Sequence, residues 1–222
     1  MKIYDLTATI DTGLWYYGAP YIPYQTKKLA TVADNGYITY EHVMTSHTGT
    51  HLECAKHWWD EAEGVEQIPL EKVMGKAKVL RIDCGQQALF AIDEKMLADA
   101  GGDNLQPGEI CIIATGWDRQ IREERYIWES PFITVGAAAY LVDKQIRAFA
   151  IDAPMFGDPR DGMDYVPAEL ELPDYLFARH DIPCILGLVN VQELPDEVFF
   201  VGAPLKLKGS DGSPVRAFAA AD

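Results

Sequence analysis

The sequence predicts a single α/β domain spanning residues 1–222 with a mixed β-sheet, and three observations lead there. The first is length and composition: 222 residues, 48% hydrophobic and 24% charged, suffice for a sizeable core and match an ordinary globular chain. The second is a series of short continuous apolar runs, which suit strands of a sheet covered on both faces. The third is the helical windows between those runs, with no linker, repeat or low-complexity stretch dividing the chain.

Taken in order, IYDLTATI opens with alternation and gives way to the aromatic LWYYGAPYIPYQ, where Pro20 and Pro23 oppose a regular element. Tyr37–Thr45 alternates and is β-branched, so it reads as a strand. KVLRID, EICIIAT, RAFAIDA, CILGLVNV and EVFFVGAPLKL read as further strands. Asp93 caps a helix that Gly101 stops, and Thr134 caps VGAAAYLVDK. Asp174 begins a third helix after Pro173, with His180 near its C-terminus, where a cation is favoured. KGSDGSPVRAFA reads as two strands joined in a hairpin.

The chain carries 34 acidic against 19 basic residues, a formal charge of −15. Such a surface is poorly suited to neutralising phosphates, so nucleic acid and anionic membranes are excluded as partners. The 4 cysteines form no CxxC pair, and Cys84, Cys111 and Cys184 lie in or beside apolar runs as small hydrophobes do. The N-terminus lacks a basic region followed by a long apolar one, and no run reaches membrane-spanning length. A cytoplasmic protein is expected.

Histidine is the uneven residue. Of 5 histidines, His42, His47, His51 and His57 fall within a 16-residue window. His47, Gly49, His51, Glu53, Ala55 and His57 occupy every second position, so in extended backbone they share one face. His42 falls on the same strand but has the opposite parity, so it faces away. At ~3.3 Å per residue a straight strand would hold His47 and His51 about 13 Å apart, too far for one ion. The chain must therefore bend, and Gly49 permits it. A bent strand presents His47, His51 and Glu53 to one cation and leaves positions open for water, as catalytic sites do. The competing reading is an ordinary polar patch, since a HxxxH spacing is common and no HExxH helix motif is present.

The segment HTGTHLECAKH resembles the HxGTHxDxPxH signature of the bacterial-type kynurenine formamidase and cyclase family of metal-dependent hydrolases. DLTATI with GAP, QIPLEKVMGKAKVLRID, PGEICIIATGWD, FITVGAAAYLVDKQIRAFAID, IPCILGLVNVQELP and GSDGSPVRAFA follow in family-like order along nearly the whole chain. The resemblance implies a swivelling β/β/α-like fold with a barrel-like core, and homodimers or homotetramers. It also implies divalent-metal hydrolysis of amide-type bonds. His47 and His51 match the family's metal ligands, Glu53 stands for its Asp, and His57 matches the closing catalytic histidine. Two late ligand positions hold Asp174 and Leu186 instead. One ion per chain, zinc or manganese, is thus expected, with Asp174 as an additional candidate ligand and a second metal site doubtful.

A hydrolase of a small amide, formamide, lactam or ester follows, with a metal-activated water and His57 as general acid. The alternatives are a noncatalytic binding or assembly member, and a lyase or cyclase on the same scaffold. Trp58, Trp59, Trp15 and Trp117 are candidate walls for a small, aromatic substrate, as are Tyr16, Tyr17, Tyr21 and Tyr24. Core or subunit-interface packing is the competing role for each. Asp152 reads as a buried hydrogen-bonding residue.

Overall fold

In the computed structural model, residues 1–161 and 171–222 are described. Among them, the first half contributes strands β1 (Lys2–Asp5), β2 (Gln25–Ala30), β3 (Thr39–Val43), β4 (His51–Glu53), β5 (Met74–Arg81) and β6 (Ala91–Ile92). The second contributes β7 (Ile110–Ala114), β8 (Phe132–Ile133), β9 (Ala148–Ile151), β10 (Cys184–Leu186), β11 (Glu197–Val201), β12 (Gly212–Pro214) and β13 (Phe218–Ala221). Nine of these form one mixed, curled half-barrel sheet in the order β1-β13-β11-β5-β7-β9-β10-β4-β12. The expected α/β class and barrel-like core are what is observed.

The centre of the sheet, β5-β7-β9-β10, is parallel, and its flanks are antiparallel. β7 and β9 are buried at every residue, as their unbroken apolar runs require. One face packs against the helices Glu94–Asp99, Val135–Asp143 and Pro173–Arg179, around Leu97, Leu141, Phe149, Phe156 and Phe177. The opposite face buries Leu6, Leu52, Val79, Ile112, Ile185 and Phe200. The expected caps form: Asp93 accepts from the Met96 N–H at 2.8 Å, and Thr134 from the Ala137 N–H at 3.1 Å. Asp152 ties the ends of β7 and β9 together, accepting from both the backbone N–H and the hydroxyl of Thr115 and from the Gly116 N–H. Burial pushes its carboxyl up to about 7 against those bonds.

Two readings of the chain are corrected. KGSDGSPVRAFA is not a hairpin: β12 pairs with β4, whereas β13 inserts between β1 and β11. The Gly-containing turn suggested local pairing, but the two strands lie toward opposite ends of the sheet. His42 does not share a strand with the other histidines. β3 pairs with β2 in a separate ribbon, where His42 Nδ1 meets the Tyr24 hydroxyl at 2.6 Å and its ring stacks on Tyr24 and Tyr40.

Candidate metal and catalytic site

The register of three short strands places the site. On β4, His51 and Glu53 project to one face and Leu52 to the other, so Leu52 joins the core while the polar pair faces inward. β10 lies on one side, with Leu186 opposite His51 and Cys184 opposite Glu53. β12 lies on the other, with Pro214 opposite His51 and Gly212 opposite Glu53. Leu186 is itself a core residue, 2% exposed.

His47 precedes β4 on a tight turn rather than on an extended strand. Gly49, at φ 67°, makes that turn and brings the His47 and His51 rings to 4.9 Å. A side chain at Gly49 would press on Ile10 at 3.1 Å and Leu14 at 3.2 Å. His57 follows β4 on a short 3-10 turn, Ala55–His57, which returns its ring to 4.3 Å from His47. The parity of the sequence thus holds only for His51 and Glu53, and turns deliver the two flanking histidines.

One potential ligand atom from each of His47, His51 and Glu53 lies within 4.8 Å of the others, and all three residues are buried. His51 Nδ1 faces the Gly49 carbonyl at 2.8 Å and so carries the proton. Its Nε2 is buried with no hydrogen-bond partner among the described residues. An orphaned buried acceptor is costly unless something fills its place. Burial and the neighbouring His47 keep His51 well below the usual histidine range, and burial lowers His47 too, so both rings stay neutral, as ligation requires. Burial pushes Glu53 up to about 7, with the nearby His57 working the other way. The donor set therefore fits a divalent ion.

Sequence reasoning missed Asp211. Its Oδ2 lies 2.8 Å from His47 Nε2 and 2.7 Å from His57 Nδ1, and its Oδ1 accepts from the Ser46 hydroxyl at 2.8 Å. Burial alone would raise the Asp211 carboxyl, but these bonds hold it far below the carboxylate range. Burial also works against a charged His57, yet the Asp211 bond and the nearby Glu53 hold its pKa above the usual value. The only sequence sign was an acidic residue inside the GSDGSP block.

Asp174 is not brought into either of the two donor groups found among the described residues. It sits in the first turn of its helix, with its carboxylate against Gly157, and burial pushes it up to about 6. It shares with Glu53 a recess of about 10 Å³, room for roughly one water. Trp58 stands edge-on to His57 at 4.8 Å and to Tyr175 at 5.2 Å, and Trp59 leans on Tyr175 at 6.0 Å. Trp15 is 6.4 Å from His51, and Tyr21 stands edge-on to His47 at 5.7 Å. Trp117 does not line the site. It is fully buried in the core, its indole N–H donates to the Tyr126 carbonyl at 2.8 Å, and Arg125 covers its ring. Tyr17 is likewise buried, its hydroxyl donating to the Pro154 carbonyl, while Tyr16 is exposed.

A family model described as "Putative cyclase" matches residues 4–158, well over half of the chain. The chain belongs to this cyclase family. Among curated relatives, the kynurenine formamidase of Geobacillus thermodenitrificans is 30% identical over 174 residues, covering 78% of this chain and 76% of that protein. The isatin hydrolase of Roseibium aggregatum is 27% identical over 201 residues, covering 80% of this chain and 72% of its own. Among solved structures, isatin hydrolase A from Labrenzia aggregata bound to benzyl benzoate superposes with a TM-score of 0.87, at 24% identity, over 98% of this cyclase-family chain and 93% of its own. That likeness shows the fold.

Proposed function

We propose that this protein is a metal-dependent hydrolase of small amides, the scissile bond lying beside an aromatic ring. The observation that carries the reading is the unpartnered, buried His51 Nε2 facing His47 and Glu53. His47, His51 and Glu53 would hold one divalent ion, zinc or manganese. When bound, that ion supplies a Lewis acid that polarises a carbonyl and lowers the pKa of water. The chain's own groups do the rest. The buried walls around His51 keep bulk water out. His57, tied at Nδ1 to Asp211, presents Nε2 as the atom that holds and delivers a proton to the leaving nitrogen. Trp15, Trp58 and Trp59, with Tyr21, orient a planar substrate beside it. The relatives' names join a formamide and a lactam, both amide bonds next to an aromatic ring, which supports that substrate class.

Treatment with a chelator is expected to bring hydrolysis of N-formyl arylamines and of isatin-like lactams to background, and added manganese or zinc to restore it. Full activity in the stripped protein would sink the reading.

A homodimer or larger homo-oligomer is part of this proposal. The β2–β3 ribbon and its connection expose Leu29, Val32, Tyr37, Ile38 and Tyr40, each 45% or more accessible. Burying such a patch against a second copy is favoured. Replacing Leu29 and Ile38 together by Asp is expected to convert the assembly to monomers in sedimentation analysis; an unchanged mass would place the contact elsewhere. The 4 free, buried cysteines suit the reducing cytoplasm. Among the described residues no helix is long and apolar enough to cross a membrane.

A further inference from the structure

Asp211 reaches the site through strand pairing. The Cys54 N–H donates to the Asp211 carbonyl at 3.1 Å, and the next residue, Gly212, sits opposite Glu53 in the β4–β12 ladder. Gly212 allows the close approach: a Cβ there would stand 3.3 Å from His47 Cε1 and crowd the Leu52 carbonyl. The Asp211 carboxylate is thereby held between two histidines, with Ser46 fixing its second oxygen.

The separations decide its role. Two ligands of one tetrahedral ion, with bonds of roughly 2.0–2.2 Å, stand about 3.3–3.6 Å apart. The contacts of Asp211 Oδ2 with His47 Nε2 at 2.8 Å and His57 Nδ1 at 2.7 Å are shorter and have hydrogen-bond length. An ionised carboxylate only accepts, so both facing ring nitrogens carry protons. His47 is then left with the Nδ1 lone pair, 3.7 Å from Glu53 Oε2 on the side of the proposed ion. The Gly49 carbonyl imposes the complementary choice on His51, freeing Nε2. His57 is left with Nε2.

We propose that Asp211 is a positioning residue that divides the histidine cluster: one oxygen fixes the tautomers of both His47 and His57, committing His47 Nδ1 to the metal and His57 Nε2 to proton transfer. This rests on the metal-hydrolase reading above. It differs from a ligand role for Asp211 in the group His47, His57 and Asp211, whose atoms also lie within 4.8 Å of one another.

The test uses Asp211→Asn and Ser46→Ala in the full chain. Long-range ¹H–¹⁵N spectra of the metal-free protein report each ring's tautomer without reference to activity. Recorded at a pH high enough to keep His57 neutral, the parent is expected to show Nε2–H on His47 and Nδ1–H on His57, and Asp211→Asn a mixture at both. With manganese at saturation, Asp211→Asn is expected to keep about one ion per chain, measured by elemental analysis. Its kcat is expected to fall about a hundredfold, the usual worth of a placed acid–base group, with KM changed less than threefold. Ser46→Ala, the milder variant should Asp211→Asn not fold, is expected to lower kcat about fivefold, one hydrogen bond's worth. Loss of the ion in Asp211→Asn would make Asp211 a ligand and overturn the proposal. Unchanged tautomers, or an unchanged kcat in either variant, would overturn it as well. A parent that binds no metal and hydrolyses nothing would instead refute the proposed function, while the tautomer comparison would still judge Asp211.

Discussion

His51→Ala is expected to cost the protein its metal and, with it, hydrolysis. Both effects have the same origin. His51 is completely buried, its Nδ1 is fixed by the Gly49 carbonyl, and its Nε2 has no partner among the described residues. The ring supplies one of three ligands, and its removal leaves His47 and Glu53 too few to hold a cation tightly. Loss of even an outer partner of a metal site typically costs about 10–100-fold in affinity, so loss of a ligand sets at least about a hundredfold as the expectation. Thermal unfolding with and without metal gives a direct readout. A ligand that binds only the folded state adds about 2.7 kcal/mol of stability at a hundred times its Kd. The parent's midpoint should rise on adding manganese or zinc, and that of His51→Ala should not move. A variant still stabilised by the ion would place the metal elsewhere.

Trp117→Ala is expected to have the largest effect on stability and little on substrate affinity. The side chain is fully buried, its N–H satisfies the Tyr126 carbonyl, and Tyr126 in turn bonds the Asp152 carbonyl through its hydroxyl at 3.1 Å. Truncating a core Trp costs about 3–5 kcal/mol, and here a buried carbonyl also loses its donor. For a chain of this length that lowers the melting midpoint by something on the order of 10 °C, measurable by circular dichroism. KM at low temperature should stay near the parent's. A raised KM with an unchanged midpoint would restore Trp117 to the pocket.

The contrast between His51 and Trp117 shows which parts of the fold were legible in the chain. Alternation is a local rule, and it held where backbone is truly extended: His51 and Glu53 share a face because β4 spans both. It stopped at the turn that Gly49 makes and at the 3-10 turn of Ala55–His57, where the same histidines arrive by a different route. Buried runs such as ICIIA and AFAI announced central strands, since residues covered on both faces have no polar side to show. Trp117 carried no such mark, because a Trp at a strand end packs or binds with equal propriety. Asp211 was beyond reach for another reason. It is 154 positions from His57, and only the β4–β12 pairing brings them together. A hairpin reading of the last strands, natural from their turn residues, concealed that pairing.

The β4–β12 ladder also sets a schedule. A chain emerging from the ribosome presents His47, His51, Glu53 and His57 long before β10 and then β12 appear. Pairings this distant in sequence form late, after the loop between them has closed. Until then the nascent chain carries the proposed metal-binding histidines without the Asp211 carboxylate that bonds them. Assembly of the site therefore coincides with completion of the sheet edge, and partial chains have ligands before they have a proton donor in place.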